Sequence, residues 1–168
     1  MNEIKRDLQD ILSQKLGKGK VIILIGPRQV GKTTLLQKLL SEFTAEKSVQ
    51  YWNCDEADVR KILADESSAR MKSFVGNSKF IVIDEAHRVL NIRLKLKILH
   101  DNFPDVQIAV TGSSALDLSN TINEPLTGRK FEYNLFPFST NELVHNYSML
   151  EEMKQLEKTL DMLKFKCW

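Results

Sequence analysis

The sequence predicts an α/β protein whose mostly parallel sheet is covered by helices on both faces. Five short segments with strand character alternate along the chain with segments of helical periodicity. The clearest of these strands, Val21–Ile25 and Phe80–Ile83, are apolar without interruption. Such strands are typical of a parallel sheet that is buried on both sides. The predicted architecture is therefore a three-layer α/β/α sandwich.

The first element is an amphipathic helix. Apolar residues at three- and four-residue steps predict it over residues 2–16, and it ends at Gly17. Helical patterns follow the first strand over Thr34–Phe43 and the second around Val59–Leu63. The five predicted strands are Val21–Ile25, Val49–Asn53, Phe80–Ile83, Gln107–Thr111 and about Lys130–Phe136.

The segment Ile92–Leu99 fits two periodicities. Its apolar residues alternate as in a strand, but Ile92, Leu96, Leu99 and Phe103 also share one face of a helix. A parallel connection between the third and fourth strands needs a crossover, which is usually a helix. We therefore predict a helix here.

One domain is expected over residues 1–147, followed by a separate C-terminal helix over residues 148–168. Ser148 and Glu151 have the spacing of a capping box, and apolar residues continue along one stripe of the helix that it would open. Such a stripe needs a surface to cover, either on this domain or on something that the chain lacks.

Composition excludes several classes of protein. The 168 residues suffice for a core without metals or disulfides, and the net charge of +2 does not by itself argue for nucleic acid. No apolar run approaches the roughly 20 residues that span a bilayer. The polar segment Met1–Asp10 is not a secretory signal, and Cys54 and Cys167 lie far apart. A reduced, cytoplasmic setting is the simplest interpretation.

A phosphate-binding loop follows the first strand. Residues Gly26–Thr33 (GPRQVGKT) match G-x-x-x-x-G-K-[ST] at every fixed position, between a strand and a helix. Glycines let successive N–H groups line an anion site at the helix N-terminus. Lys32 would reach the β- and γ-phosphates, and the Thr33 hydroxyl would bind Mg²⁺. The predicted nucleotide-binding residues are Gly26, Pro27, Arg28, Gln29, Val30, Gly31, Lys32, Thr33 and Thr34.

Two acidic residues end the third strand. Ligands in open parallel sheets lie beyond the carboxyl ends of the strands, so Asp84 and Glu85 are expected near the phosphates. Asp84 is positioned to hold Mg²⁺ through its water shell, as a Walker B aspartate does. Glu85 would orient and polarise the water that attacks the γ-phosphate. The alternative is that Glu85 only caps the next helix.

Hydroxyl groups end the fourth strand, and an arginine precedes the fifth. Ser113, in the segment Thr111–Ser114, would bind the γ-phosphate or the attacking water. Alternatively, Ser113 or Ser114 caps a helix that begins at Ala115. Arg129 is either a finger that stabilises charge on the γ-phosphate or a solvated surface residue.

Together these motifs resemble a prokaryotic family of AAA-type P-loop ATPases, in which a C-terminal domain of unknown function normally follows the nucleotide domain. The first two matching phrases recur widely among P-loop proteins, and the last three, in this order, are particular to the family. The phrases are GPRQVGKTTLL (Gly26–Leu36), IDEAHR (Ile83–Arg88), TGSSALDL (Thr111–Leu118), LTGR (Leu126–Arg129) and LFPFSTNEL (Leu135–Leu143).

The resemblance implies a P-loop NTPase fold with strand order 5-1-4-3-2. It also implies that Ser113 is a sensor-like residue and that Arg129 is a candidate finger, which would act across the subunits of a homo-oligomer. Family members are much longer, so the chain resembles the N-terminal ATPase domain alone, with a second domain expected to begin near residue 148. Such a chain would bind ATP and turn it over slowly.

The leading functional hypothesis is Mg²⁺-dependent ATP hydrolysis with ATP and Mg²⁺ as cofactors. One alternative is a P-loop phosphotransferase, although a kinase must avoid activating water and usually lacks the acid pair. Another is a nucleotide-switched module that binds protein or DNA. Its basic face would comprise Arg88, Arg93, Lys95 and Lys97, unless these are simply the solvated side of a helix.

Overall fold

The computed structural model describes residues 4–43, 49–64, 68–113 and 126–147, with residues 149, 151, 153 and 154. The strands are β1 (Val21–Ile25), β2 (Val49–Asn53), β3 (Phe80–Asp84), β4 (Gln107–Gly112) and β5 (Lys130–Asn134). The helices are α1 (Asp7–Lys15), α2 (Lys32–Phe43), α3 (Ala57–Ala64), α4 (Ser68–Val75) and α5 (Ile92–Asn102), with a 3-10 turn at Ala86–Arg88.

The five strands form one parallel sheet in the order β2-β3-β4-β1-β5. This is the predicted order 5-1-4-3-2 read from the opposite edge, and the predicted fold class is confirmed. Strand β1 pairs with β4 on one side and β5 on the other, and all of its residues are buried. The loop that follows β1 therefore leaves the interior of the sheet rather than an edge.

Two apolar clusters lie on opposite faces of the sheet and make the three layers. Alternate residues of β1 point to each face, so Ile23 packs in one cluster and Leu24 in the other. The first cluster includes residues of α3, α4 and α5, and the second includes residues of α1 and α2. Helix α5 packs through Ile92, Leu96 and Leu99, which confirms the helical interpretation of that ambiguous segment.

Two helices differ from the sequence predictions. Helix α1 begins at Asp7 rather than near residue 2, and the N–H groups of Lys5 and Asp7 donate to the side chains of Asn146 and Glu142, each at 3.0 Å. Helix α4 was not predicted. It is short, and its sequence SARMKSFV carries too few apolar residues to show a clear helical period.

The chain divides into two compact units, Leu8–Phe136 and Met1–Asp7 together with Pro137–Trp168. In the second unit, residues 140–147 are helical. Ser139 and Glu142 form a reciprocal capping box there, with N–H to side-chain oxygen distances of 2.8 and 3.1 Å. The Arg6 guanidinium nitrogen Nε lies 3.2 Å from Glu142 Oε1. The capping box predicted at Ser148, and most of the predicted helix over residues 148–168, lie outside the described residues.

The close packing of Gly26 yields a stability prediction. An alanine Cβ at this position would lie 2.2 Å from the carbonyl oxygen of Leu135, so the backbone would have to shift. We expect Gly26→Ala to lower the free energy of unfolding by about 1–3 kcal/mol, measured by urea denaturation. Gln37→Ala on the exposed face of α2 is the matched control and should stay within about 0.5 kcal/mol of wild type. Equal stability of the two variants would contradict the prediction.

Candidate nucleotide-binding site

The carboxyl ends of β1, β3 and β4 meet at one edge of the sheet, because the three strands are parallel neighbours or near neighbours. The phosphate loop follows β1, Asp84 and Glu85 end β3, and Ser113 follows β4 at this same edge. The structure therefore brings together the residues that the sequence predicted to contact phosphate, metal and water, with the exception of Arg129.

Hydrogen bonds to both neighbouring strands hold the base of the phosphate loop. The Gly26 N–H donates to the Gly112 carbonyl at 3.3 Å, and the Leu135 N–H donates to the Ile25 carbonyl at 2.7 Å. Because Gly26 lacks a side chain, the backbone after β5 approaches it closely. The loop thus begins from a fixed position.

The backbone of the loop has the conformation of an anion nest. Gln29 has a φ of 62° and Gly31 a φ of 92°, both in the left-handed region. Left-handed residues between right-handed ones turn successive N–H groups to the same side, where they attract anions. Helix α2 begins immediately afterwards, and its first bond runs from the Leu35 N–H to the Gly31 carbonyl at 2.9 Å.

Lys32 folds back over this nest. Its side chain is buried, and its ammonium group donates to the carbonyl oxygens of Gly26 at 3.0 Å and Pro27 at 2.7 Å. Burial lowers the pKa of Lys32 below its ordinary value, and the carboxylates of Glu85 and Asp84 partly oppose this change. The loop therefore holds its own cation at the place where the phosphates are expected.

The Asp84 carboxylate receives hydroxyl groups from three other elements. Thr33 Oγ1 lies 3.2 and 3.1 Å from its two oxygens, and the hydroxyls of Thr111 and Tyr51 also donate to it. Asp84 is 8% exposed, so a buried negative charge is stabilised here by neutral donors. Burial and the bond to Asp84 raise the pKa of Tyr51, which keeps its phenol protonated as a donor.

Tyr51 was missed by the sequence analysis. Strand β2 lies beside β3, with Tyr51 opposite Val82 and Asn53 opposite Asp84. Tyr51 reaches the Asp84 carboxylate from the adjacent strand, which only the strand order reveals.

Glu85 occupies a constrained backbone position. Its φ and ψ are 52° and 39°, and its N–H donates to Thr111 Oγ1 at 3.1 Å. The side chain makes no capping bond to the 3-10 turn that follows, although capping was the alternative interpretation. Instead, its carboxylate lies 3.1 Å from Nδ1 of His87.

Ser113 lies at the same edge, where its hydroxyl is within 3.2 Å of the His87 ring nitrogens. The alternative role, as cap of a helix beginning at Ala115, falls on residues 114–125, outside the described part of the chain.

Arg129 lies near the amino ends of the strands, opposite the carboxyl ends where the phosphate loop begins. Its carbonyl accepts the N–H of Val21, the first residue of β1, at 2.9 Å, and its Nε donates to Asp101 at 2.9 Å. The five residues of β1 separate it from the phosphate loop by about 17 Å. Arg129 therefore does not reach the phosphate loop of its own chain.

Only part of the predicted basic face is open to solvent. Arg88 pairs with Asp55 at 3.1 Å, and the Arg93 guanidinium, largely buried, lies 3.9 Å from Glu132. Lys95 is buried and donates to the Ala64 carbonyl at 3.3 Å. Arg93 and Lys95 therefore serve contacts inside the protein, whereas Arg88 is about half exposed and Lys97 is partly exposed.

The parallel sheet, its strand order and the loop after β1 define a P-loop domain. Residues 18–144 match a protein family described as the AAA domain, and the chain belongs to that family. The sequence-based resemblance to AAA-type P-loop ATPases is thus confirmed.

Curated relatives are longer than this chain. An uncharacterized protein of Mycobacterium tuberculosis is 33% identical over 126 residues, which are 74% of this chain and 27% of that protein. An uncharacterized protein of Mycobacterium bovis matches with the same identity and coverage. The chain spans about a quarter of the length of these relatives.

Solved structures with a similar fold include replication initiators. Domain III of the Thermotoga maritima replication initiation protein DnaA aligns with a TM-score of 0.59 at 14% identity, covering 93% of this chain and 72% of that one. AMPPCP-bound DnaA from Aquifex aeolicus gives 0.54 at 14%, with coverages of 77% and 44%. Cdc6p from Pyrobaculum aerophilum gives 0.59 at 15%, with coverages of 84% and 48%. At these identities the likeness shows the fold alone.

Among the described residues, no helix has the length and apolar character needed to cross a membrane.

The left-handed backbone of Glu85 yields a testable prediction. A residue with a side chain in this region is strained by about 1 kcal/mol or more, and glycine is not. Glu85→Gly and Glu85→Ala both remove the carboxylate, so the difference between them reports the backbone. We expect the glycine variant to be more stable by about 1 kcal/mol in urea unfolding. At an ordinary position glycine would be the less stable of the two, and that result would contradict the assigned conformation.

Proposed function

We propose that this chain is an ATPase domain that binds ATP with Mg²⁺ and hydrolyses it. The observation that carries the proposal is the arrangement at one sheet edge, where Lys32 caps an anion nest, Thr33 contacts Asp84, and Glu85 follows Asp84 directly. These are the parts that phosphoryl transfer to water requires: phosphate neutralisation, a metal site and a group that orients water.

The loop binds the triphosphate through its backbone and its lysine. Inward N–H groups and the N-terminus of α2 favour negative charge at the same point. The Lys32 ammonium already lies over the loop, where it donates hydrogen bonds to the carbonyl oxygens of Gly26 and Pro27. A phosphate oxygen would replace these carbonyl oxygens as the acceptor. Because little rearrangement is needed, much of the ordering cost is met before binding.

The donor set at Asp84 suits magnesium. Mg²⁺ prefers oxygen ligands and is commonly held by one or two protein groups together with nucleotide phosphates. Thr33 and Asp84 supply such oxygens, and the described residues contain no cluster of three or more acidic, histidine or cysteine side chains that could hold a metal alone. When bound, Mg²⁺ would neutralise charge on the β- and γ-phosphates.

Glu85 is assigned the orientation of the attacking water. Its carboxylate is partly exposed, so water can reach it and donate a hydrogen bond to it, and its backbone is held by Thr111. A kinase would have to exclude water from this position, so the acid next to Asp84 favours hydrolysis over transfer to another acceptor.

The choice of ATP is supported by a structural relative, because AMPPCP, the ligand of the Aquifex aeolicus DnaA structure, is an ATP analogue.

A reduced cytoplasmic location also belongs to the proposal. Cys54 is a buried free thiol, and burial, with the nearby Asp84 charge, raises its pKa to about 12.

The test separates binding from hydrolysis. We expect Lys32→Ala to abolish measurable ATP binding, because the nest loses its cation. Glu85→Gln should bind Mg²⁺-ATP as wild type does and hydrolyse it roughly 10²- to 10⁴-fold more slowly. Calorimetry and steady-state phosphate release measure the two effects. Wild-type turnover in Glu85→Gln would refute the catalytic assignment, and rapid phosphorylation of an acceptor metabolite would indicate a kinase.

We further propose that Arg129 acts as a finger on the nucleotide of a neighbouring copy in a homo-oligomer. Arg129 lies at the opposite ends of the strands from its own phosphate loop. This position favours a role on the nucleotide of another subunit and disfavours a role within its own chain. Engagement would require release from Asp101.

Concentration dependence tests the finger. Wild-type turnover per chain should rise as copies associate, and Arg129→Ala should lower it on the order of 10³-fold at high concentration. Asp101→Ala, which breaks the ion pair and keeps the arginine, is the matched control and should retain turnover. Equal losses in both variants would mean that Arg129 matters only through its pair with Asp101.

A further inference from the structure

We propose that His87 is a positioning residue. It holds the Glu85 carboxylate in place to orient the water that attacks the γ-phosphate, and it links Glu85 to Ser113 at the end of β4. The inference rests on the proposed ATPase function and adds a residue that the phosphate-loop chemistry does not require.

The three side chains form one connected group. Glu85 Oε2 lies 3.1 Å from His87 Nδ1, and Ser113 Oγ lies 3.1 Å from His87 Nε2 and 3.2 Å from Nδ1. The His87 side chain is 10% exposed, against 26% for Glu85. The ring is thus packed between an acid and a hydroxyl at the site edge.

The local backbone explains why the ring reaches Glu85. The 3-10 turn returns the chain on itself, with the Arg88 N–H donating to the Glu85 carbonyl at 3.0 Å. Ala86 is fully buried and anchors the turn in the core. Thr111 fixes the Glu85 backbone, but the flexible side chain still needs a partner to stay in one rotamer. His87 supplies that partner from two residues away.

Ser113 completes the chain of contacts from the neighbouring strand. The contact with Glu85 requires the tautomer that carries hydrogen on Nδ1, which donates to the carboxylate. Ser113 borders the same ring, with its Oγ nearly equidistant from the two ring nitrogens and its backbone nitrogen 3.4 Å from Nδ1. Ser113 therefore restricts the position of the ring that contacts Glu85. A carboxylate held in this way retains its remaining oxygen lone pairs for water, and correct orientation is worth orders of magnitude in rate.

The test is a mutant cycle on the full chain, with ATP affinity measured beside turnover. We expect His87→Ala to lower kcat roughly 10- to 100-fold, the range seen when a residue that orients a metal ligand is removed, with ATP affinity within about twofold. His87→Gln, which keeps a donor of similar reach, should recover part of the rate. In a Glu85→Gln background, His87→Ala should add no further loss, because both act through one group. His145→Ala, at an exposed position of the 140–147 helix, is the control and should match wild type.

The outcomes separate this inference from the proposed function. If wild type releases phosphate no faster than Lys32→Ala, the ATPase proposal falls and the role of His87 falls with it. If wild type is active and His87→Ala matches it, or if the His87 and Glu85 effects multiply, only the positioning role is overturned. If His87→Ala fails to fold, His87→Gln and Ser113→Ala carry the test. Both should then lower kcat without changing ATP affinity, and unchanged kcat in both would overturn the inference.

Discussion

The Asp84 carboxylate joins the parts of the site, because hydroxyl groups from β2, β4 and the start of α2 all donate to it. A charge buried to this degree needs partners, and neutral hydroxyls satisfy it less fully than a cation does. Removal of Asp84 would leave the phosphate loop, the second strand and the fourth strand without their common contact. Burial lowers the pKa of Lys32, and the charges of Glu85 and Asp84 partly oppose that change. One side chain thus joins three elements at the carboxyl ends of the strands, where a nucleotide is proposed to bind.

Conformational strain is concentrated at that same edge. Gln29, in the phosphate loop, and Glu85, after β3, both have positive φ values without being glycine. Residues in such conformations cost free energy and persist where the surrounding structure fixes them, often at functional sites. Here the fixing groups are the strand pairs of β1 and the hydroxyl of Thr111. The backbone conformations of Gln29 and Glu85 lower the stability of the fold at the proposed site. Burial of the apolar clusters on both faces of the sheet compensates for this cost.

The sequence predicted the sheet and the phosphate loop well because each rests on local signals. Uninterrupted apolar runs identify β1 and β3, and the glycine and lysine spacing identifies the loop. The strand order came from family resemblance, since periodicity carries no information about neighbours. Tyr51 could not be found without that order, because it contacts Asp84 from the adjacent strand of the sheet. Similarly, the contact between Glu85 and His87 depends on a 3-10 turn that no sequence period reports. Arg129 was predicted as a candidate finger acting across subunits. Because it directly precedes a parallel strand, it lies near the amino ends of the strands, away from the phosphate loop of its own chain.

The central claim is that Asp84 couples a metal ion to nucleotide binding, and ATP affinity with and without Mg²⁺ tests it most directly. Asp84→Asn keeps the size of the side chain and removes its charge. Calorimetry on wild type should show ATP binding that Mg²⁺ strengthens, on the order of tenfold or more, by joining phosphate and carboxylate oxygens. In Asp84→Asn, affinity without Mg²⁺ should be retained and the gain from Mg²⁺ should disappear. A gain from Mg²⁺ as large in Asp84→Asn as in wild type would contradict the account.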